Sequence, residues 1–63
     1  MTLSREKINL ALARKKMTVT QLAKKYGVSA QRIRAILNSK KVVPATAGRI
    51  AEALEVDVTE IIE

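Results

Sequence analysis

Apolar residues recur along this chain at helical spacing, in short runs that are each closed off by capping or turn residues. Ile8, Ala11 and Leu12 form the first run, behind a cap at Ser4 or Thr2, and the helix they predict reaches about Lys16. Arg14, Lys15 and Lys16 fall in its last turn, where positive charge complements the helix dipole. Thr18-Val19-Thr20-Gln21 then reads as a capping box, with Thr18 as the cap and Gln21 reaching back from the third helical position. The helix it opens carries Val19, Leu22, Ala23 and Tyr26, and it stops at Gly27, which supplies the left-handed conformation of an abrupt helix end. Only Val28 separates that glycine from the next cap, Ser29. A third helix follows from Ala30 to about Leu37, with Asn38 able to close it.

Ser39 through Val43 form the longest connection. Pro44, a helix-start residue, opens a fourth helix through Ile50, Ala51 and Leu54. Gly48 lies inside that helix at a cost of roughly 1 kcal/mol relative to alanine, which points to close packing there. Asp57-Val58-Thr59-Glu60 is a second capping box, opening a terminal turn or two through Ile61 and Ile62. The pattern predicts five short helices in one all-α domain spanning residues 1–63, with no internal repeat, low-complexity tract or linker. Composition agrees: nine alanines, six leucines and a single aromatic residue, Tyr26, favour helices over a sheet.

Charge adds more than its total. Residues 1–41 hold eleven Lys/Arg and one acid, whereas residues 42–63 hold one Arg and five acids, so a block at +10 precedes one at −4. A cationic block of this kind suggests a polyanion-binding face. The chain has neither cysteine nor histidine, which excludes thiolate or imidazole metal sites, His-based triads and cysteine nucleophiles. The acids form no ligand-like cluster. No catalytic residue, cofactor, metal or small-molecule ligand is therefore expected, and the chain does not read as an enzyme. No uncharged run approaches the roughly 20 residues of a membrane span. The N-terminus, with Arg5, Glu6 and Lys7, lacks the apolar core of a signal peptide. These features lead us to expect a soluble, cytoplasmic protein.

Two helices joined through a short glycine turn form a helix-turn-helix. Ala23 must be small where the helices cross, Gly27 must make the turn, and Leu22, Val28, Ile33 and Ile36 must bury the inner faces. All six positions are suitably filled. The run M-T-x-x-x-L-A-x-x-x-G-V-S-x-x-x-I-x-x-I-x-N, from Met17 to Asn38, resembles the Cro/phage-repressor (XRE-type) helix-turn-helix family. The stretch P-x-x-x-x-x-I-A-x-A-L-x-V-x-V-x-E-I, from Pro44 to Ile61, is similar to that family's fourth and fifth helices. The resemblance implies a compact five-helix, lambda-repressor-like domain. It also implies a transcriptional regulator of phage or mobile-element type that binds double-stranded DNA, with a homodimer through helices four and five.

At 100° per residue, Ile33, Ile36 and Leu37 share one side of the third helix and face the core. The opposite side is centred on Gln31 and Ala35, with Asn38 near, Arg34 and Arg32 on the two flanks, and Ala30 at the leading end. The resemblance places this helix in the major groove. Gln31 then suits adenine N6/N7, Arg34 or Arg32 suits guanine O6/N7, and Ala30 or Ala35 suits a thymine methyl. Phosphate contacts are expected from Thr18, Thr20, Gln21 and Ser29 at the helix starts, and from Asn38, Ser39, Lys40 and Lys41 behind the reading helix.

The chain departs from the family pattern at three places. Val19 stands where relatives commonly carry a phosphate-binding glutamine. Leu12 and Leu37 stand where many relatives carry a basic residue and a glutamate, so an apolar pair is expected in place of a buried ion pair. Val42 and Val43 stand where some relatives place basic residues, leaving Val42 as an exposed candidate for a protein contact. A second function class is a protein-interaction module on the same fold, antitoxin-like or regulator-binding, whose basis would be the apolar C-terminal residues Val56, Val58, Ile61 and Ile62.

Overall fold

The computed structural model describes all residues, 1–63. It contains α1 (Arg5–Lys15), α2 (Val19–Tyr26), α3 (Ala30–Asn38) and α4 (Pro44–Leu54), then a 3-10 turn at Val58–Glu60. The expected fifth helix is thus a single tight turn. Its capping box forms, with Asp57 accepting from the Thr59 N–H (2.9 Å) and Glu60 accepting from the Asp57 N–H (3.2 Å). Ile61, Ile62 and Glu63 beyond it are occupied in pairing with residues 2–4. None of the helices is long and apolar enough to cross a membrane.

Three of the four connections are built alike. Lys16-Met17-Thr18, Gly27-Val28-Ser29 and Glu55-Val56-Asp57 each consist of a left-handed residue, an apolar residue and a side-chain cap. In each, the N–H of the apolar residue reaches back five residues to a carbonyl: Met17 to Leu12 (2.9 Å), Val28 to Ala23 (3.0 Å) and Val56 to Ala51 (3.0 Å). This bond belongs to the Schellman helix end. The same apolar residue precedes the cap of the next element, where an apolar side chain packs toward the fourth helical position. Those fourth positions, Leu22, Ile33 and Ile61, are all completely buried. One residue therefore ends one helix through its N–H and orients the next through its side chain. Leu3 ahead of Ser4, with buried Ile8, repeats the starting half of the device at α1.

The core runs as one cluster from Leu3 through Ile8, Leu12, Leu22, Ile33, Leu37, Ile50 and Leu54 to Ile61. Leu12 and Leu37 are both buried in it, and no polar or charged residue is buried. Ala23 is buried on α2, which packs against both α3 and α4. Two packing expectations fail. A Cβ built on Gly48 meets nothing within 4 Å, so that glycine lies on open surface rather than at a close approach. Val42 is half-buried against the core, and its neighbour Val43 is the exposed residue, at 63%.

The first four residues hold the ends of the chain together. Leu3 N–H donates to the Lys40 carbonyl, Val42 N–H to the Met1 carbonyl, and the Met1 ammonium to the Val42 carbonyl, all at 2.8 Å. On the other side Ser4 N–H donates to Ile61 (2.8 Å) and Glu63 N–H to Thr2 (3.0 Å). The loop between α3 and α4 is thereby tied to the N-terminal residues, and these in turn to residues 61–63.

Candidate nucleic-acid interface

Ser29 starts α3 by accepting the Arg32 N–H at 3.1 Å. From there the burial pattern orients the helix. Ile33 and Leu37 are fully inside, Ile36 is half-buried, and Gln31, Arg32, Arg34, Ala35 and Asn38 are exposed. Ala30 is half-buried at the leading end. Gln31, Arg34 and Ala35 thus form one outward surface opposite the core. Arg32 is on the flank nearer α4, where it shares a groove with Val28, Ile36, Val43, Thr46 and Arg49.

Around this face the polar groups have defined partners. At the start of α2, Thr18 accepts the Gln21 N–H (3.1 Å) while Gln21 Oε1 accepts the Thr18 N–H (2.8 Å). The reciprocal pair leaves the N–H groups of Val19 and Thr20 without intrahelical partners, at the positive end of the helix dipole. The Gln21 amide nitrogen also stays available. Ser29 has its lone pair on the Arg32 N–H but keeps its hydroxyl hydrogen. Ser39 differs: its hydroxyl donates to the Lys41 carbonyl at 3.3 Å, so it shapes the loop. Asn38 Oδ1 accepts from Arg5 Nη1 at 3.4 Å, leaving its NH₂ group to donate outward. Lys40 and Lys41 are exposed on the loop that the N-terminal residues brace.

Cationic charge is largely uncompensated across the molecule. Arg14–Glu60 (3.3 Å) and Lys25–Glu55 (2.9 Å) are the two ion pairs, so ten of the twelve Lys/Arg have no carboxylate within 4.0 Å. The Lys25 hydrogen bond and charge hold the Glu55 carboxyl below its usual range. The Thr59 hydroxyl and N–H do the same for Asp57. Both acids lie at the C-terminal end, away from α3 in sequence.

Two residues that the pattern along the chain did not single out make long-range contacts with α2 and α3. Arg5, seen there only as N-terminal charge, touches the last residue of α3. Arg49 caps the C-terminal end of α2 from outside, donating to the Tyr26 carbonyl (3.2 Å) with its guanidinium 4.3 Å from the Tyr26 ring centroid. Neither contact has a local sequence signal, since the partners are 33 and 23 residues apart.

Val56, Val58 and Ile62 pack against the core and Ile61 is completely buried, so the apolar C-terminus covers this domain's own interior. No cluster of three or more His, Cys, Asp or Glu residues is placed to hold a metal ion.

No curated protein and no solved structure gives a significant match to the chain. Residues 7–63 match the family described as the Cro/C1-type HTH DNA-binding domain, and with a helix-turn-helix at α2–α3 and its match covering nearly the whole sequence, the chain belongs to that family.

Proposed function

We propose that the protein reads a specific duplex sequence with the outward face of α3 and regulates transcription, as a repressor, by occupying that site. The observation that carries this reading is the exposed set Gln31, Arg34 and Ala35 opposite fully buried Ile33, framed by phosphate donors at the start of α2 and in the loop after α3. Gln31 pairs with adenine, Arg34 with guanine, and Ala35 and the leading Ala30 meet thymine methyls. Arg32 approaches from the α4 flank, as a base reader at the edge of the groove. Thr18, Thr20, Gln21, Ser29, Asn38, Lys40 and Lys41 position the domain on the backbone. Ser39 contributes through the loop conformation it holds. A cytoplasmic location is part of this reading.

Val56, Val58 and Ile62 pack on the domain's own core and Ile61 is buried in it, which favours DNA reading over the interaction-module alternative. A homodimer would use the outer surface of α4 and the adjoining 3-10 turn, and its two reading helices would meet half-sites about 34 Å apart.

Selection from random duplex DNA at about 150 mM salt, where nonspecific phosphate attraction is suppressed, tests the proposal. An enriched motif is the expected outcome, with Gln31→Ala and Arg34→Ala each losing about 1–3 kcal/mol of discrimination at one base pair. Absence of enrichment, with only salt-sensitive binding to any duplex, would refute sequence reading by α3.

A further inference from the structure

The first turn of α1 meets the last turn of α3 at a cleft of about 300 Å³ lined by Leu3, Arg5, Leu37, Asn38, Lys40 and Glu63. Arg5 is held there by two side-chain amides: its Nε donates to Asn9 Oδ1 (3.2 Å) and its Nη1 to Asn38 Oδ1 (3.4 Å). Both acceptors are neutral, so the guanidinium is oriented without losing its charge. Glu63 is the one acid on the cleft, and it lies beyond 4.0 Å of either cation. Two of the five guanidinium N–H groups are engaged, which leaves three to donate. Lys40 stands across the cleft on a backbone fixed by the 2.8 Å bond from Leu3. Arg5, Asn38 and Lys40 therefore line one space whose single acid is Glu63. Leu3 and Leu37 are its apolar wall.

We propose that Arg5 completes a phosphate-binding cleft with Asn38 and Lys40, which grips one backbone phosphate of duplex DNA past the C-terminal end of α3. The inference rests on the DNA-binding reading above and adds α1 to the interface. A planar fork fixed by its neighbours suits a phosphodiester, whose two free oxygens take paired N–H groups. The bonds to Asn9 and Asn38 orient that fork before DNA arrives, so less side-chain freedom is lost on binding. Contact of this kind carries no sequence information.

The test is a salt titration of the full chain on its selected duplex and on an unrelated duplex, followed by fluorescence anisotropy. Arg5→Gln removes the charge and is expected to reduce the log–log salt slope by about 0.9 on both duplexes, roughly a fivefold loss at 0.15 M relative to 1 M salt. Its melting temperature should match that of the wild type, because the side chain is exposed. An unchanged slope and affinity would overturn the inference while salt-dependent binding by the wild type kept the DNA reading intact. A loss on the selected duplex alone would make Arg5 a base reader and overturn the phosphate assignment. No duplex binding by the wild type would overturn both. Should Arg5→Gln fold poorly, Arg5→Lys allows a second measurement, in which backbone phosphates are neutralised one at a time as methylphosphonates. One position should then cost the wild type more than the lysine variant, and equal losses at every position would overturn the inference.

Discussion

Substituting Gly48 by alanine should stabilise the protein, and the reason can be worked through position by position. Gly48 is the fifth residue of α4, well inside the helix, and its φ is not in the left-handed region. A Cβ added there meets nothing within 4 Å, so no steric term opposes the change. What remains is the backbone freedom that glycine retains in the unfolded chain, together with its poor helix propensity. Together these amount to about 1 kcal/mol in favour of alanine. For a domain of this size that is a rise of roughly 4–8 °C in melting temperature.

Gly27 is the matched control. A Cβ there also meets nothing within 4 Å, but φ is +98°, so the same substitution is opposed by backbone conformation alone. Holding an alanine left-handed costs roughly 1–2 kcal/mol. Chemically identical substitutions at two equally open sites should therefore move stability in opposite directions, separated by about 2–3 kcal/mol. Urea unfolding of both variants measures this directly. If Gly48→Ala lowered the midpoint, α4 would have to be packed against something at that point, and the reasoning from open space would be wrong. A stabilised Gly48→Ala that dimerised less tightly would instead show that a second copy approaches this surface.

Three further outcomes follow from the packing and the charges. Leu37→Glu should cost about 3–5 kcal/mol as an unpaired buried charge, and adding Leu12→Arg should restore part of the loss, because both leucines are buried in the same cluster; additive losses in the double variant would show that the two side chains do not meet. Arg49→Ala should cost about 1 kcal/mol in urea unfolding through the lost stacking on Tyr26 and the lost bond to its carbonyl, with Arg49→Lys intermediate, and a neutral Arg49→Ala would mean that solvent replaces both contacts. Glu55 and Asp57 have lowered folded-state pKa values, so the stability they contribute is complete above their ordinary values, 4.5 and 3.8, and is lost as pH falls through the lowered folded ones; the double variant Glu55→Gln, Asp57→Asn should show a shallower acid limb than the wild type, and identical limbs would contradict the sign.

How much of the fold could be read from the chain depended on how local each cause was. Ser4, Thr18, Ser29 and Asp57 cap the elements they precede, because a cap needs only its own helix start. The repeated connector was hidden for a specific reason. Its left-handed position is glycine once, at residue 27, but lysine at 16 and glutamate at 55, which occupy φ of 52° and 59° without the composition signal of a turn. The apolar residue two places on from each helix's last residue, followed by a cap, is the signal that marks all three: Met17-Thr18, Val28-Ser29 and Val56-Asp57. Gly48 went the other way. A glycine inside a helix points to a close neighbour, yet a Cβ there finds none, because sequence alone does not distinguish a required glycine from a tolerated one.

The proposed DNA face shows the same division between local and distant causes. Which side of α3 turns outward follows from Ile33 and Leu37 alone, since the period of one helix settles it, and the exposed residues fall where that period puts them. What surrounds the face is set by long-range backbone pairing. Residues 1–4 have no helical pattern, yet they carry the bonds that fix the loop bearing Lys40 and Lys41 and bring α1 against the end of α3. The antiparallel bridges Thr2–Lys41 and Leu3–Ile62 are single residue pairs, too short to produce the alternation by which strands are recognised. Leu3 is the one trace: an apolar residue just before a cap, with Ile8 at the fourth helical position, says that the segment before α1 is folded down onto the core. Once that segment is fixed, Arg5 cannot be a free surface cation. It starts a helix whose preceding residues are pinned to the loop after α3, and this places its guanidinium beside Asn38. The clamp residues on the loop and the arginine on α1 are thus positioned by one and the same set of backbone bonds, so loosening residues 1–3 should weaken binding to every duplex without changing which sequence is preferred.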